Sequence, residues 1–481
     1  MNNFFSGINS FLETILFFDI FFGSIDGVRV PFLVAWLIFG GIYLTFLTKF
    51  INLRMFKHSF DIIRGRYRTA EDVGEISPFG ALTTALSATV GLGNIAGVAL
   101  AVSLGGPGAT FWMIVAGFLG MSLKFTEVTL SLQHRVFLQD GSVMGGAMEY
   151  LSRGLAQKGY AKFGKVLALV FALFMIGGAI GGGNIFQVSQ SLGAVSQEIP
   201  FFKDFPIIFG LVVTMFAGFV IIGGVTRIAK ITEFLVPIMA VIYIGASLWI
   251  LAYHFEKLDD AIAIIFHEAF STSALYGGVA GAIVQGFQRA VFSSEAGIGS
   301  SPVAHAPVKT KYAVRQGLVA LYEPFIDTVV ICTMTALVIV ITGVYAHDGA
   351  YMSLIEAKQG AALTSAAYGT VVSWFPTILS LSITLFAFST IIAWSYYGER
   401  AWVFLFGTRY SMVYKLGYLL LIILATITET AVLVDFSFML FLTMALPNIL
   451  GLFILGGDVK RELEEYVAKL KSGALDEEAL R

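Results

Sequence analysis

Thr89-Val90-Gly91-Leu92-Gly93-Asn94-Ile95-Ala96-Gly97 lies in the middle of an apolar segment, 80–104, long enough to cross a bilayer. Each glycine inside a helix costs about 1 kcal/mol relative to alanine, so Gly91, Gly93 and Gly97 together predict a break. No bulk water at that depth satisfies the N–H and C=O groups that a break frees, so something else must occupy them. In transporters the occupants are an ion and a small polar solute, with half-helix N-termini facing the anionic end and unwound carbonyls facing the cation. The plainer alternative is close helix packing through small residues. Asn94, with Ser87 and Thr89 beside it, weighs toward a binding site.

Composition agrees with a membrane setting. Of 481 residues, 57% are hydrophobic, 14% aromatic and only 13% charged, a balance that would leave a soluble globule with apolar surface it could not cover. The mean hydropathy of +0.82 points the same way, to an all-α polytopic membrane protein in the bilayer of the cell. A net charge of −2 gives no basic footprint for nucleic acid. Cys332 is the only cysteine, which excludes a disulfide framework and a cysteine-based metal cluster. Met1 to Gly23 has no positive n-region and no small-residue cleavage site, unlike a signal peptide, and Asn9, Ser10, Glu13 and Asp19 fit an interfacial helix over 1–29.

Eleven apolar stretches of about 20 residues follow. They lie near 30–50, 80–104, 109–133, 165–194, 205–225, 234–253, 274–297, 316–344, 373–399, 412–432 and 434–456, with a tail over 457–481. With Met1 outside, the loops 49–68, 135–165, 227–230, 309–315 and 400–415 and the tail fall inside and hold 24 of the 30 basic residues. That asymmetry predicts an N-out, C-in topology. The chain also reads as doubled. The segment from Pro78 and the segment from Tyr276, five spans later and of opposite orientation, both carry interruptions, the second at Gly286 and at Ser293-Ser294-Glu295-Ala296-Gly297-Ile298-Gly299. An inverted repeat of 78–254 and 274–432 is the expectation, with 30–50 and 434–456 as additional helices.

Four stretches carry a family resemblance: Pro78 to Ala99, the turn Gly105-Gly106-Pro107-Gly108-Ala109, Phe292 to Pro302, and Phe386-Ala387-Phe388-Ser389-Thr390-Ile391-Ile392-Ala393-Trp394-Ser395-Tyr396-Tyr397-Gly398-Glu399. Together they resemble the alanine or glycine:cation symporter family, over nearly all of Val30 to Leu455. The resemblance implies sodium- or proton-coupled uptake of small neutral amino acids on a fold like that of the neurotransmitter:sodium symporters. It implies no cofactor beyond the co-transported ion. Gly80 and Leu92 stand where relatives often have a polar or larger residue, and Ser293-Ser294 where Ser-Asn is usual, which bears on substrate preference.

Depth selects the groups for such a site. Ala88 is ten residues above Pro78 and Thr390 ten above Arg400, so both lie about 15 Å from the inner face, near the midplane. Main-chain carbonyls of Ser87 and Val90 with the hydroxyls of Ser389 and Thr390 would then form an uncharged oxygen site for Na⁺, as the resemblance also implies. The competing reading is back-bonding of both hydroxyls within their own helix. Thr89, Gly91, Leu92, Gly93 and Asn94 would present amides and dipoles to a carboxylate. Asn184, Gln187 and Gln288 could hold the ammonium or carboxylate, or simply bond between helices. Phe287, Val291 and Trp394 could close the apolar side, or be plain packing.

Intramembrane charges offer a rival. Lys124 and Glu127 are one turn apart, as are Glu323 and Asp327, while Arg289 and Glu295 flank the second break. They could relay a proton and make H⁺ the coupling ion, or form structural ion pairs and a gate. The six histidines fall in or beside loops, against an intramembrane hydrolase. Gly91-x-Gly93 lacks the third glycine and preceding strand of a dinucleotide site. A channel would need no closed site. The sequence does not set the oligomeric state.

Overall fold

A computed structural model describes residues 17–23, 29–69, 72–138, 141–271, 278–347, 349–371, 374–428 and 438–479, with Gly7 and Thr14. The first half contains α1 (Phe32–Leu47), α2 (Pro78–Thr89), α3 (Val98–Gly105), α4 (Ala109–Gln133), α5 (Ala161–Glu198), α6 (Pro206–Ile221), α7 (Gly224–Tyr253) and α8 (Leu258–Ala269). There follow α9 (Gly278–Ser294), α10 (Ala313–Thr342), α11 (Gly360–Gly369), α12 (Phe375–Phe406), α13 (Ser411–Ala425) and α14 (Phe438–Lys471). Among the described residues, Val136–Phe137 and Val143–Met144 form an antiparallel hairpin between α4 and α5.

Helices α4, α5, α7, α10, α12 and α14, and the segment Thr408–Ala425 containing α13, are long and apolar enough to span a bilayer. The pair α2 and α3 reaches that length only together, bent by 48° at the predicted break. Each of the eleven apolar stretches holds a helix. The interfacial reading of Asn9, Ser10 and Glu13, the start of the seventh stretch over 274–277 with Tyr276, and residues 429–437 lie outside the described residues. Apolar side chains face outward on the peripheral helices: Phe219 is 70% exposed, Phe234 71% and Val241 72%. Such a surface suits lipid, and Trp249 and Tyr253 toward the end of α7 fit the aromatic belt at its boundary.

Several boundaries differ from the expectation. Gly286 does not interrupt anything. It lies inside continuous α9, where an added Cβ would stand 2.7 Å from the Ala109 carbonyl and the Trp112 Cβ, so its role is close packing on α4. Helix α7 begins at Gly224 rather than near 234. Helix α14 runs straight through 456 to Lys471, so most of the expected tail is its continuation. There Tyr466 bonds His58 at 2.9 Å and Glu464 pairs with Lys49 at 3.1 Å. Between the expected spans 316–344 and 373–399 lies α11, which packs against the first break.

Helix α4 packs on α9 and α10, and α12 packs on α2, α5 and α7. Basic loops meet at one end of the bundle. Arg66 pairs with Asp476, Lys158 with Asp458 and Lys311 with Glu478, tying loops 49–68, 135–165 and 309–315 to the end of the chain. A polar cavity of about 230 Å³ at the same end is lined by Glu75, Gly223, Arg400 and Lys415, among others.

Candidate functional site

Ser77 caps α2 by accepting from the Gly80 amide at 2.9 Å, with Pro78 in the first turn. The helix stops at Thr89. Val90 leaves helical geometry at φ −73° and ψ 83°, and the chain resumes as a wide, π-type turn over Gly93–Gly97. Asn94 closes the gap from inside: its Oδ1 accepts from the Gly91 amide at 2.9 Å, while the Asn94 amide donates to the Gly91 carbonyl at 3.2 Å. The Leu92 amide donates to Gln187 Oε1 at 3.3 Å. Two amides expected to await a carboxylate are therefore held by side chains, and a ligand there would have to displace them.

The absence of a side chain at 91 and 93 permits close approach. A Cβ on Gly91 would collide with Thr390 Oγ1 and stand 3.5 Å from Gln187 Oε1, and one on Gly93 would stand 3.1 Å from Ser293 Cα. The first break thus touches α12 on one side and the second break on the other. The second break follows Ser294, where Glu295, Gly297 and Gly299 take left-handed φ of 59°, 88° and 75° before the short helix Pro302–His305. For Glu295, a non-glycine residue, that conformation costs about 1–2 kcal/mol.

Thr390 Oγ1 donates to the Ser87 carbonyl at 3.1 Å and Ser87 Oγ donates to the Ser389 carbonyl at 2.8 Å, so the two stretches placed at equal depth are in contact. Ser389 Oγ donates to the Phe386 carbonyl within its own helix at 2.9 Å, the kind of back-bond anticipated as the alternative, and lies 3.5 Å from the Ser87 carbonyl. Thr89 back-bonds to Leu86 at 3.4 Å. All of these groups, with Val90, are buried.

The remaining predicted residues divide. Gln187 sits at the break, its Nε2 donating to the Gly182 carbonyl at 2.9 Å, a carbonyl freed by a second wide turn over Gly181–Ile185. Asn184 turns the other way, donating to the Tyr418 carbonyl on α13 at 2.8 Å. Phe287, Gln288 and Val291 are buried along α9, one to two turns before the second break. Trp394 packs against Gly183, Phe441 and Tyr397 and donates from Nε1 to Glu295 Oε1 at 2.8 Å.

Asp327, named in the sequence only as a candidate relay or ion-pair partner of Glu323, has other partners. Asp327, fully buried, accepts from Asn94 Nδ2 at 2.5 Å, from Ser293 Oγ at 2.7 Å and from Thr328 Oγ1 at 2.8 Å, so its carboxylate lies between the two breaks. Cys332 joins it, 3.4 Å from Asn94 Nδ2 and 3.2 Å from Ser293 Oγ. Helical spacing pairs Asp327 with Glu323, but Pro324 and a wide turn over Phe325–Cys332 separate their directions. Signals were available: an acidic residue and the lone cysteine inside one apolar run.

A family model described as the sodium:alanine symporter family matches residues 17–480. The chain belongs to that family. Among relatives, the sodium/alanine symporter AgcS of Methanococcus maripaludis is 38% identical over 91% of this symporter and 94% of its own length. The putative sodium/proton-dependent alanine carrier YrbD of Bacillus subtilis is 33% identical over 94% and 93%. The probable sodium/glutamine symporter GlnT of the same organism is 33% identical over 92% and 89%. In fold, the symporter is similar to MhsT in complex with L-phenylalanine, with a TM-score of 0.57 at 15% identity over 80% of this chain and 90% of that one. A mutant of the manganese transporter of Eremococcus coleocola gives 0.51 at 13%, over 80% and 82%. Cargoes as different as an amino acid and a metal ion on one fold leave specificity to the side chains. The symporter is a multi-pass protein of the cell membrane.

Behind the second break the symporter buries a second polar network. Lys124 pairs with Glu323 at 3.0 Å, rather than with its helical neighbour Glu127, and donates to Ser301 at 2.6 Å. His305, expected beside a loop, is fully buried and bonded to Glu323 at 2.5 Å and to Gln316 at 2.6 Å. Glu127 instead accepts from Asn448 at 2.6 Å and from the Gly299 amide at 3.2 Å, while Glu295 also accepts from Ser300. These bonds fold the chain after the second break around α4.

Proposed function

We propose that this symporter imports small neutral amino acids, alanine and glycine first, coupled to Na⁺ by alternating access, with the basic end of the bundle in the cytoplasm. The observation that carries the reading is the contact of Ser87 with Thr390 and Ser389 at the point where α2 stops. Carbonyls of Ser87 and Val90 and two hydroxyls are hard, uncharged oxygen donors, the chemistry that suits an alkali cation. Thr390 would exchange its hydrogen bond for ion coordination. The substrate would sit against the first break, its carboxylate displacing side-chain bonds at Gly91 and Leu92. Thr89, Gly93, Asn94, Gln187 and Gln288 are the polar groups within this proposal, Phe287, Val291 and Trp394 its apolar walls, and Asn184 an outer contributor that would have to turn. The substrate named for AgcS favours alanine, and the one named for GlnT defines glutamine as the competitor to include.

A second reading, proton coupling, is favoured by the Asp327 carboxylate between the breaks, which could carry a proton or a further cation. The deciding experiment is counterflow of radiolabelled alanine into proteoliposomes with Na⁺ and pH gradients imposed separately. Uptake that needs Na⁺ supports the first reading. A pH gradient that drives uptake without Na⁺ supports the second, and no saturable alanine uptake under either gradient refutes both.

A further inference from the structure

The site is closed at both ends by different devices. On one side α11 lies against the first break, Thr364 Oγ1 donating to the Ile95 carbonyl at 3.1 Å and Gly360 packed on the Ala96 backbone. On the basic side the closure is a strip of main chain. The run 72–77 leads into α2, and the run 302–310 follows the second break. They meet as parallel chains: Ile76 bridges Val308, the Glu75 amide donates to the Pro307 carbonyl at 2.7 Å, and the Lys309 amide donates to the Ile76 carbonyl at 2.8 Å.

One side chain spans this strip. Arg135, at the end of α4, donates from Nη1 to the carbonyls of Ala306 at 3.0 Å and Val308 at 2.7 Å, and from Nη2 to Val73 at 3.1 Å and Thr310 at 3.1 Å. A planar guanidinium can serve four carbonyls at once because its donors are fixed in one fork, which an ammonium cannot match. Both runs continue directly into broken helices. The N-terminal half of the first cannot part from the segment after the second without breaking these bonds. Arg135 touches neither proposed ligand position.

We propose that Arg135 is the residue that holds the site shut toward the basic face, and that release of its grip on 73 and 306–310 is the step that opens the site there. The inference rests on the transport reading but not on which ion or amino acid is carried. Cys332 is a built-in reporter: it is the chain's single cysteine, it is buried, and it lies beside Asn94 and Ser293 where the breaks meet. An opening from the basic face exposes it to that side alone.

The test is modification of Cys332 by a membrane-impermeant methanethiosulfonate, whose thiol exchange leaves a mixed disulfide on Cys332 and expels methanesulfinate, applied to inverted vesicles and to whole cells without substrate, with Cys332→Ser as the blank. Arg135→Ala is expected to speed labelling in inverted vesicles about tenfold, leave it unchanged in whole cells, and be partly rescued by Arg135→Lys. Gly74→Ala is the second variant, because an added Cβ falls on the Val308 carbonyl and pries the same strip apart with Arg135 intact. It should speed labelling in the same vesicles. Wild-type labelling in both variants, or acceleration from the whole-cell side, overturns the proposal. The readout uses no gradient, so failure of the sodium or alanine reading leaves it standing.

Discussion

Gly91→Ala tests whether the first break and the proposed sodium site are one object. The new methyl would collide with Thr390 Oγ1, which is held 3.1 Å from the Ser87 carbonyl. Overpacking of this kind costs about 1–3 kcal/mol, and losing the hydroxyl as a ligand about 1 kcal/mol. With about 2 kcal/mol falling on the ion-bound state, the half-maximal sodium concentration for alanine uptake should rise about 30-fold, at 1.4 kcal/mol per tenfold. Thr390→Ala alone should raise it about fivefold, from the roughly 1 kcal/mol of one lost hydroxyl ligand. In the Thr390→Ala background the collision is gone, and only the helix preference of alanine over glycine, about 1 kcal/mol, remains. Gly91→Ala should then add about fivefold at most. The gap between 30-fold and fivefold is a coupling of about 1 kcal/mol, expected only for groups in contact. Sodium-dependent uptake by four purified proteins in liposomes measures it. Additive effects, or wild-type sodium dependence in Gly91→Ala, would refute the reasoning.

Asn94→Ala should weaken apparent alanine affinity about tenfold, since it frees the Gly91 amide and strips Asp327 of a donor; Asn94→Asp should be worse, because it sets a second carboxylate against Asp327. Competition assays against labelled alanine rank the two. Lys124→Met should lower thermal stability in detergent by about 3–5 kcal/mol by stranding Glu323, and Lys124→Met with Glu323→Gln should recover part of it, read from unfolding monitored by size-exclusion retention. Val291→Ala should admit leucine as an inhibitor of alanine uptake, whereas wild-type protein should ignore it; strong wild-type inhibition by leucine would remove Val291 from the pocket wall.

The break at Gly91 and the all-helical, membrane-spanning class were legible because both follow from local rules, glycine content and apolar run length. The contact of Ser87 with Thr390 was legible as a depth coincidence, since rise per residue fixes height even where rotation is unknown. Rotation is what failed. Lys124 and Glu127 look paired by spacing yet face different partners, Glu323 and Asn448, supplied by remote helices. Asp327 turns toward Asn94 because a wide turn intervenes, and no local rule announces one. Asn184 and Gln187 are three residues apart with opposite allegiances for the same reason. Arg135, at a helix end, looked like one more topology-setting charge; its four carbonyl partners come from two segments distant in sequence.

Each wide turn carries one residue more than a regular helix needs for its length, and Gly93–Gly97, Gly181–Ile185 and Phe325–Cys332 hold such a surplus beside the site. The surplus is absorbed within the turn and opens main-chain carbonyls there. Removing one glycine from 181–183 would restore ordinary winding in α5 with the helix beyond it keeping its phase, but would return the Gly182 carbonyl to the helix ladder and take it from Gln187 Nε2. Length, as much as identity, is therefore under constraint at these three positions, and a one-residue deletion there should be more damaging than most substitutions of the polar groups it orients.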